Sequence, residues 1–458
     1  MPKPFVIRTT YGLQEFTPTE KRIIDTRAFQ RLRGVRQLSF VYQVYPQAGY
    51  NRFEHSLGVN GTAKKVGRQI GLGKHERKVY ALAGLCHDLG HGPYSHASES
   101  PLDRANEQLG GKGGLTHESI SREVLTHPLY GIRKILEGSE VNPEEVADMI
   151  FKEGKTTILR GVLDPDKMDY LRRDAAAVGT GVGTDTDGLI MNLSLSSIGG
   201  INKLVLDEKG LAHLKSFLTA EVLLYNSVYF HRASRAAGLM YEAGLWDLIS
   251  KARETSASDD GFKQRLKTIW RYNDQQVDYA MQASGGLAEE MSLAIGNRRL
   301  YKSLVEMQKR KVDEIDPMLF GRLEKIRMDN LFYKGKGVPE FMSASEYLQG
   351  LISEKLSEEL GMKVKPHEVF VDITPHLERG LAEADEKDVT LFIKDGNSIK
   401  PVTQFPDVCA VIKQSEGDVR RLTVFWPEKY RARVEKKGTE KDAAKIAMET
   451  IQEFAKAY

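Results

Sequence analysis

The chain has 458 residues, 41% hydrophobic and 28% charged, which is ordinary for a globular protein but too long for one core, so two or three lobes are expected. Lysine plus arginine exceeds aspartate plus glutamate by 66 − 63 = 3, so no overall field commits it to nucleic acid or a membrane surface. Cys86 and Cys409 are the only cysteines, which excludes a disulfide framework and a Cys-rich zinc site; with no signal-peptide core at its start and no apolar run near the roughly 20 residues that span a bilayer, the cytoplasm is the expected location.

Helical patterns dominate the first 180 residues. "TPTEKRII" opens with Thr17 as N-cap, Pro18 at the first helical position and Glu20 in capping-box register. "NRFEHSLGV" begins an amphipathic helix with Val59, Ala63, Val66 and Ile70 along one face and His55 in its first turn. In "KHERKVYALAGLCHDL", Leu82, Leu85, Cys86 and Leu89 mark a half-buried helix that Gly90 and Pro93 stop. "GGKGG" at 110–114 lacks the strand and the Gly-Lys-Ser/Thr ending of a phosphate loop and reads as a flexible loop. "NPEEVADMI" repeats the capping grammar with Asn142, Pro143 and Glu145. "LIMNLSL" and "NKLVLD" flank a hairpin turn, and a long helical run from "LAHLKSF" leads to further helices reaching about residue 330. After "YKGKGVPEF" the texture changes to short strand-like runs, "EVFVDI", "VTLFIK" and "LTVFWP", before a closing helix capped by Thr439. The expectation is a mainly α protein: a catalytic region over 1–200, a helical extension over 201–330 that completes the active site, and a smaller C-terminal α+β lobe over 331–458.

Seven of the eleven histidines (His55, His75, His87, His91, His96, His117 and His127) fall between residues 55 and 127. A single buried histidine is usually a satisfied core residue, but this cluster includes "GLCHDLGHGPYSH", where His87 stands beside Asp88. Imidazole and carboxylate together suit Mn, Fe, Ni, Zn or Mg rather than a thiolate-selected metal. A further oxygen ligand is available in "LDPDKMDYLRRD", where Asp166, Tyr170 and Asp174 are spaced i, i+4, i+8 with Lys167 alongside. Aspartate for a metal, lysine for phosphate oxygens, and tyrosine with aspartate for hydroxyls make a coherent pocket wall; a solvated charged face is the plain alternative.

His55, His87-Asp88 and Asp166 form the pattern H…HD…D, and the chain resembles the HD-domain metal-dependent phosphohydrolases that this pattern names. "DTRAFQRLRGVRQL", "NRFEHSLGV", "GLCHDLGHGPYSH", "THE" at 116–118 and "DPDKMDYLRRD" stand in the order and spacing of the deoxynucleoside triphosphate triphosphohydrolases. The nearest branch is similar to the SAM-and-HD-domain type, without the sterile-alpha-motif domain, since the matched region begins near Met1. The likeness is strong over about residues 15–240 and weaker in the C-terminal lobe. It implies that His55, His87, Asp88 and Asp166 hold a divalent metal, that Arg52 contacts a phosphate near the scissile bond, and that His91, His96 and His117 line the reaction centre. It places Glu118 in support of His117, Glu99 near His96, Lys167 on the triphosphate, Tyr170 and Asp174 facing the deoxyribose, Gln37 and Leu38 near sugar and base, and Tyr229 against the sugar. His96 and His117 are equal candidates for the general acid that the poor alkoxide leaving group requires.

The family's Asn-Asp-Pro-His-Gly run corresponds here to "IRTTYG", whereas Asp25, Gln30 and Arg33 stand where the activated branch recognises a guanine nucleotide; ordinary helix-surface charge is the alternative for these three. Glu221 occupies the place of a phosphate-binding arginine, so either another cation, Arg232 or Arg235, replaces it or the polyphosphate is held differently. The resemblance implies a homo-oligomer with a dNTP as substrate and, as in the activated branch, a nucleotide as activator. Two other readings stay open: an HD nucleotidase or phosphodiesterase acting on other nucleotides or nucleic-acid ends, and a catalytically weak nucleotide- or nucleic-acid-binding protein using the basic runs "NRRLYK", "MQKRK" and "KYRARVEKK".

Overall fold

The computed structural model describes residues 5–110, 116–151, 161–328, 344–374 and 391–457. Most of the "GGKGG" loop and all of "YKGKGVPEF" lie outside them. The architecture is mainly α, with twenty-one α-helices among the described residues and three small sheets. The first sheet is a hairpin of β1 (Phe5–Thr9) and β2 (Gly12–Phe16), ahead of the first helix and not signalled by the helical texture of the first 180 residues. Gly12 has φ +100°, a left-handed turn conformation that a non-glycine residue adopts only with strain. β3 (Leu193–Ile198) and β4 (Ile201–Asp207) form the expected hairpin. Residues Leu189 to Met191, expected to be strand, belong instead to the helix Thr186–Met191.

β5 (Lys302–Gln308) falls in a segment expected to be helical, and "KSLVEMQ" becomes strand because its partner is far away in sequence. It pairs antiparallel with β9 (Arg421–Trp426), which also pairs with β6 (Phe370–Ile373). β7 (Leu391–Asp395) pairs in parallel with β4 and antiparallel with β8 (Ser398–Pro401), so the Leu193–Asp207 hairpin and the C-terminal strands share one mixed sheet. Two apolar cores result. The larger runs from Phe16 to Tyr301 and takes in Phe370, Leu391, Ile393 and Val402; the smaller starts at Val305 and ends at Ala455. The apolar side chains therefore divide ahead of residue 331 and not along one cut in the chain. Arg235 ties the two parts together through both oxygens of Asp372 on β6.

Three helices and one loop frame the metal cluster. Helix Arg52–Gln69 starts at Asn51, whose side chain accepts from the Glu54 amide, and packs against helices Lys74–Cys86 and Pro165–Val178. The approach to the last is close because residue 58 is glycine: a Cβ there would stand 1.9 Å from Asp169 Oδ1. Helix Lys74–Cys86 ends earlier than its periodicity suggested, leaving His87 as C-cap and Asp88 already beyond it. The long run after residue 211 is also broken, by a π-helical turn Tyr225–Tyr229 between helices Leu211–Leu224 and Arg232–Glu254. Thr17, Pro18 and Glu20 make the full capping box. At Asn142 the side chain accepts from the Glu144 amide, and Glu145 faces His75 at 3.0 Å.

Candidate metal and phosphate site

The loop 87–96 is anchored from several directions. Ser121 Oγ accepts from the Gly90 amide at 2.7 Å and donates to the His87 carbonyl at 3.1 Å; Trp270 donates to the Gly90 carbonyl. Gly90 is required by close approach, since a Cβ would lie 2.0 Å from the His117 carbonyl oxygen. Arg31 donates to the carbonyls of Leu89 and His91, and Asp274 accepts from the Tyr94 amide at 2.7 Å. Tyr94 and Ser95 are held at φ 54° and 56°, sparsely populated values for residues with a side chain, which persist only where the surroundings over-determine them.

Four side chains converge in the expected H…HD…D set. His55 Nε2 and His87 Nε2 lie 2.9 and 3.7 Å from the same oxygen of Asp166. Asp88 faces the same point, with Oδ1 3.2 Å from His87 Nε2 and Oδ2 3.7 Å from His55 Nε2. Both tautomers suit a ligand. His55 Nδ1 donates to Asp169 Oδ2 at 2.8 Å and His87 Nδ1 donates to the Gly84 carbonyl at 2.9 Å, so each ring turns its Nε2 lone pair inward. Neither Nε2 makes a hydrogen bond although both are buried. Burial disfavours charge on His55, but Asp166 and Asp169 outweigh it and push its pKa up to about 10. The carboxylates thus demand positive charge here, which a proton or a divalent cation supplies. Two imidazoles with two carboxylates fit Mn, Fe, Ni, Zn or Mg, and the donor set does not single one out.

A cavity of about 330 Å³ opens beside this cluster. Gln37, Arg52, His87, Asp88, His91, His96, His117, Glu118, Asp166, Lys167 and Tyr170 all line it. Arg52 bonds Asp88 Oδ2 through Nη1 and Ser95 Oγ through Nε, both at 2.7 Å, and Nη2 reaches His96 Nε2 at 3.4 Å. Burial works against a charged Asp88, but Arg52, His87 and His91 hold its carboxyl well below the usual range. For His91, burial and Arg52 act together and keep the ring neutral. Across the cavity, Glu99 Oε1 lies 3.0 Å from His96 Nδ1, 2.8 Å from His117 Nδ1 and 3.6 Å from His91 Nδ1. The His91 and His117 rings stack at 4.3 Å. Glu99 is therefore the common partner of three imidazoles, which pull its carboxyl far down against the effect of burial.

Several expected residues lie elsewhere. Asp174 is buried and is not among the residues lining the cavity; Tyr50 and Tyr229 donate to its two oxygens. Leu38 packs against the main core. Arg235 is committed to Asp372, Arg232 lies 3.7 Å from Glu306, and neither is among the residues lining the cavity. Asp25 pairs with Lys21 at 2.6 Å, Gln30 accepts from Arg33 Nε, and Arg33 covers the Phe53 ring, all away from the cavity lining. His75 and His127 are outside too: the first pairs with Glu145, and the second accepts from the Leu129 amide. Asp169 and Tyr50 were not foreseen. Asp169 had a usable signal, its i, i+4 spacing from Arg173, which bonds it twice at 2.9 Å. Tyr50 had none.

Residues 52–171 match the HD domain family and residues 184–329 the family described as HD associated region. A protein named deoxynucleoside triphosphate triphosphohydrolase SAMHD1 homolog, from Dictyostelium discoideum, is 31% identical over 62% of this chain and 56% of its own length. The uncharacterized protein YwfO of Bacillus subtilis is 30% identical over 52% of this chain and 53% of its own, and an uncharacterized Methanocaldococcus jannaschii protein is 25% identical over 89% and 76%. The chain thus spans about half the length of the first two. A crystal structure of a hypothetical Aquifex aeolicus protein superposes with a TM-score of 0.64 at 22% identity, over 97% of this chain and all of the other, which speaks to fold. No helix among the described residues is long and apolar enough to cross a membrane. The chain therefore carries an HD domain followed by an HD associated region, with the H…HD…D cluster intact.

Proposed function

We propose that this protein hydrolyses deoxynucleoside triphosphates at the α-phosphate, releasing deoxynucleoside and intact tripolyphosphate. The observation that carries the reading is the convergence on one cavity of the H…HD…D cluster, two cationic side chains and three imidazoles. His55, His87, Asp88 and Asp166 hold the divalent cation, which when bound supplies Lewis-acid charge to the scissile phosphoryl group. Arg52 and Lys167 offset the polyphosphate's negative charge in a poorly solvated cleft. Water adds its oxygen to phosphorus as the bond to the 5′-oxygen breaks; that oxygen takes its proton from His96 or His117, and the ring regains one from the proton the water gives up. Glu99 orients both rings through their Nδ1 atoms, leaving Nε2 for the transfer. Gln37 and Tyr170 bind the sugar and base side, and Glu118 closes the wall beside His117.

Homo-oligomerisation and activation by a nucleotide at Asp25, Gln30 and Arg33 belong to the same reading; a bound nucleotide would have to displace the Lys21 and Arg33 contacts these side chains now make. Asp174 and Tyr229 favour a second reading. Their mutual hydrogen bond, with Tyr50 on the other oxygen, withholds the sugar-facing carboxylate from the cavity, as suits an HD nucleotidase or phosphodiesterase that does not read a deoxyribose there. Anion-exchange analysis of products from each dNTP, alone and in mixtures, with Mn²⁺ or Mg²⁺, decides between them. Tripolyphosphate with deoxynucleoside supports the first; orthophosphate or a nucleoside monophosphate supports the second.

A further inference from the structure

Asp274 is not among the residues lining the cavity, yet it is tied to two stretches that are. It lies in the HD associated region and opens helix Asp274–Ser284. Asn273 and Gln276 already cap that helix, so the Asp274 carboxylate serves other partners. One oxygen accepts from the Tyr94 amide at 2.7 Å; the other accepts from the Arg36 amide at 3.1 Å and from Arg36 Nη1 at 3.2 Å. We propose that Asp274 is a positioning residue for Arg52 and His96, acting through the Tyr94–Ser95 backbone. Burial pushes its carboxyl up to about 6 against the Tyr94 and Arg36 amides, so it is ionised at neutral pH.

The route runs through a strained turn. Tyr94 and Ser95 sit at φ 54° and 56°, where a side chain is disfavoured. The Tyr94 ring stacks on Phe40 at 4.4 Å, its hydroxyl donates to Asp278 at 2.7 Å, and its carbonyl accepts from Ser39 Oγ at 2.6 Å. The remaining group, its amide, is held by the charge-assisted bond to Asp274. In this turn Ser95 Oγ donates to the Arg36 carbonyl at 2.6 Å and accepts from Arg52 Nε at 2.7 Å. Asp274 thus fixes both sides of the link that aims the guanidinium. His96 follows directly in the chain, and Arg52 Nη2 reaches its Nε2 at 3.4 Å. The metal ligands are held from elsewhere, His55 by Asp169 and His87 by the Gly84 carbonyl. The consequence for turnover rests on the triphosphohydrolase reading; the consequence for the ring of His96 does not.

Asp274→Asn keeps the size of the side chain but turns an N–H₂ group toward N–H donors on one side. In full-length, metal-loaded protein, kcat for tripolyphosphate release should fall about 10²-fold with KM within about threefold, as for a displaced catalytic group. Metal content should match the wild type. Ser95→Ala, which removes only the hydroxyl on Arg52, should also lower kcat, and the double variant should be no slower than the slower single. Ring NMR spectra of histidine-labelled protein read the same effect without turnover: the His96 resonances, assigned with His96→Gln, should move in both variants while those of His55 stay. Unmoved His96 resonances in folded Asp274→Asn, or losses that multiply in the double variant, overturn the proposal. Should Asp274→Asn fail to fold by circular dichroism, Ser95→Ala carries the test, and wild-type spectra in it overturn the proposal as well. A wild type that releases no tripolyphosphate removes the hydrolase reading, and the spectra still decide the role of Asp274.

Discussion

Asp166 and Asp174 lie two turns apart on one helix, Pro165–Val178, yet they do opposite things. Asp166 lines the cavity, and the two buried imidazole nitrogens that face it make no hydrogen bond. Burial opposes its charged form, but His55 and His87 pull its carboxyl far below the usual range. Asp174 is capped on both oxygens by tyrosine hydroxyls and is pushed up to about 6 by burial. A helical stripe of acidic residues thus divides into a reactive end, where polar atoms await a partner, and a satisfied end, where the polar atoms already have one. Buried polar groups are normally paired, so the unpaired ones mark the place that binds.

The contrast breaks first, and most severely, at the reactive end. Asp166→Ala or His87→Ala removes a ligand without replacing it, and phosphohydrolase turnover should fall about 10³-fold or more, given the several kcal/mol a Lewis acid contributes. Metal analysis of the same variants should show the loss of one equivalent; retained metal with full turnover would contradict the ligand assignment. Next come the proton donors. Whichever of His96→Gln and His117→Gln removes the general acid should cost about 10²–10⁴ in kcat, with the smaller loss in the other. Equal, minor effects in both would leave the leaving group protonated from elsewhere.

Asp169→Asn sharpens the comparison from behind the ligand, because Asp169 accepts from His55 Nδ1 and fixes which nitrogen faces inward. Such outer partners are worth about 10–100-fold in metal affinity. A rise of that order in the metal dissociation constant, with the ligands intact, is the expected result from competition with a chelator.

The smallest effect belongs to the satisfied end. Burial raises the pKa of Asp174 to about 6 in the fold, against an ordinary value of 3.8. The folded state therefore holds the proton more tightly than the unfolded chain. The stability this contributes is complete below about pH 4 and is lost as pH rises through 6. On the order of 1–3 kcal/mol is at stake. Urea denaturation of the wild type between pH 4 and 7 should show that decline, and Asp174→Asn should flatten it; an unchanged slope in the variant would place the titration on another group.

Residue chemistry and local grammar were legible without a structure wherever the cause is local. Thr17 with Glu20 is a capping contact three residues long, and the helix begins where it indicates. His55 in a first turn and Asp166 one position inside Pro165 follow from the same rules. Strands were harder. β1, β2 and β5 went unread because a short strand draws its stability from a partner, and for β5 that partner is more than a hundred residues away.

The sequence by itself determined the residue types, their order and the helices that carry them: imidazoles and carboxylates at 55, 87, 88 and 166, a mainly α body, and a strand-bearing C-terminal part. Only the tertiary structure decided which of those side chains meet. Gly58 lets two helices close until Asp169 touches His55, Gly90 lets the histidine loop lie against the start of helix His117–Thr126, and Glu99 gathers three rings that spacing alone spreads over 27 positions. The same packing withdrew Asp174 behind two tyrosines. Contacts between residues distant in sequence depend on how helices approach, and that is settled by volume at the crossing points, which no local pattern encodes.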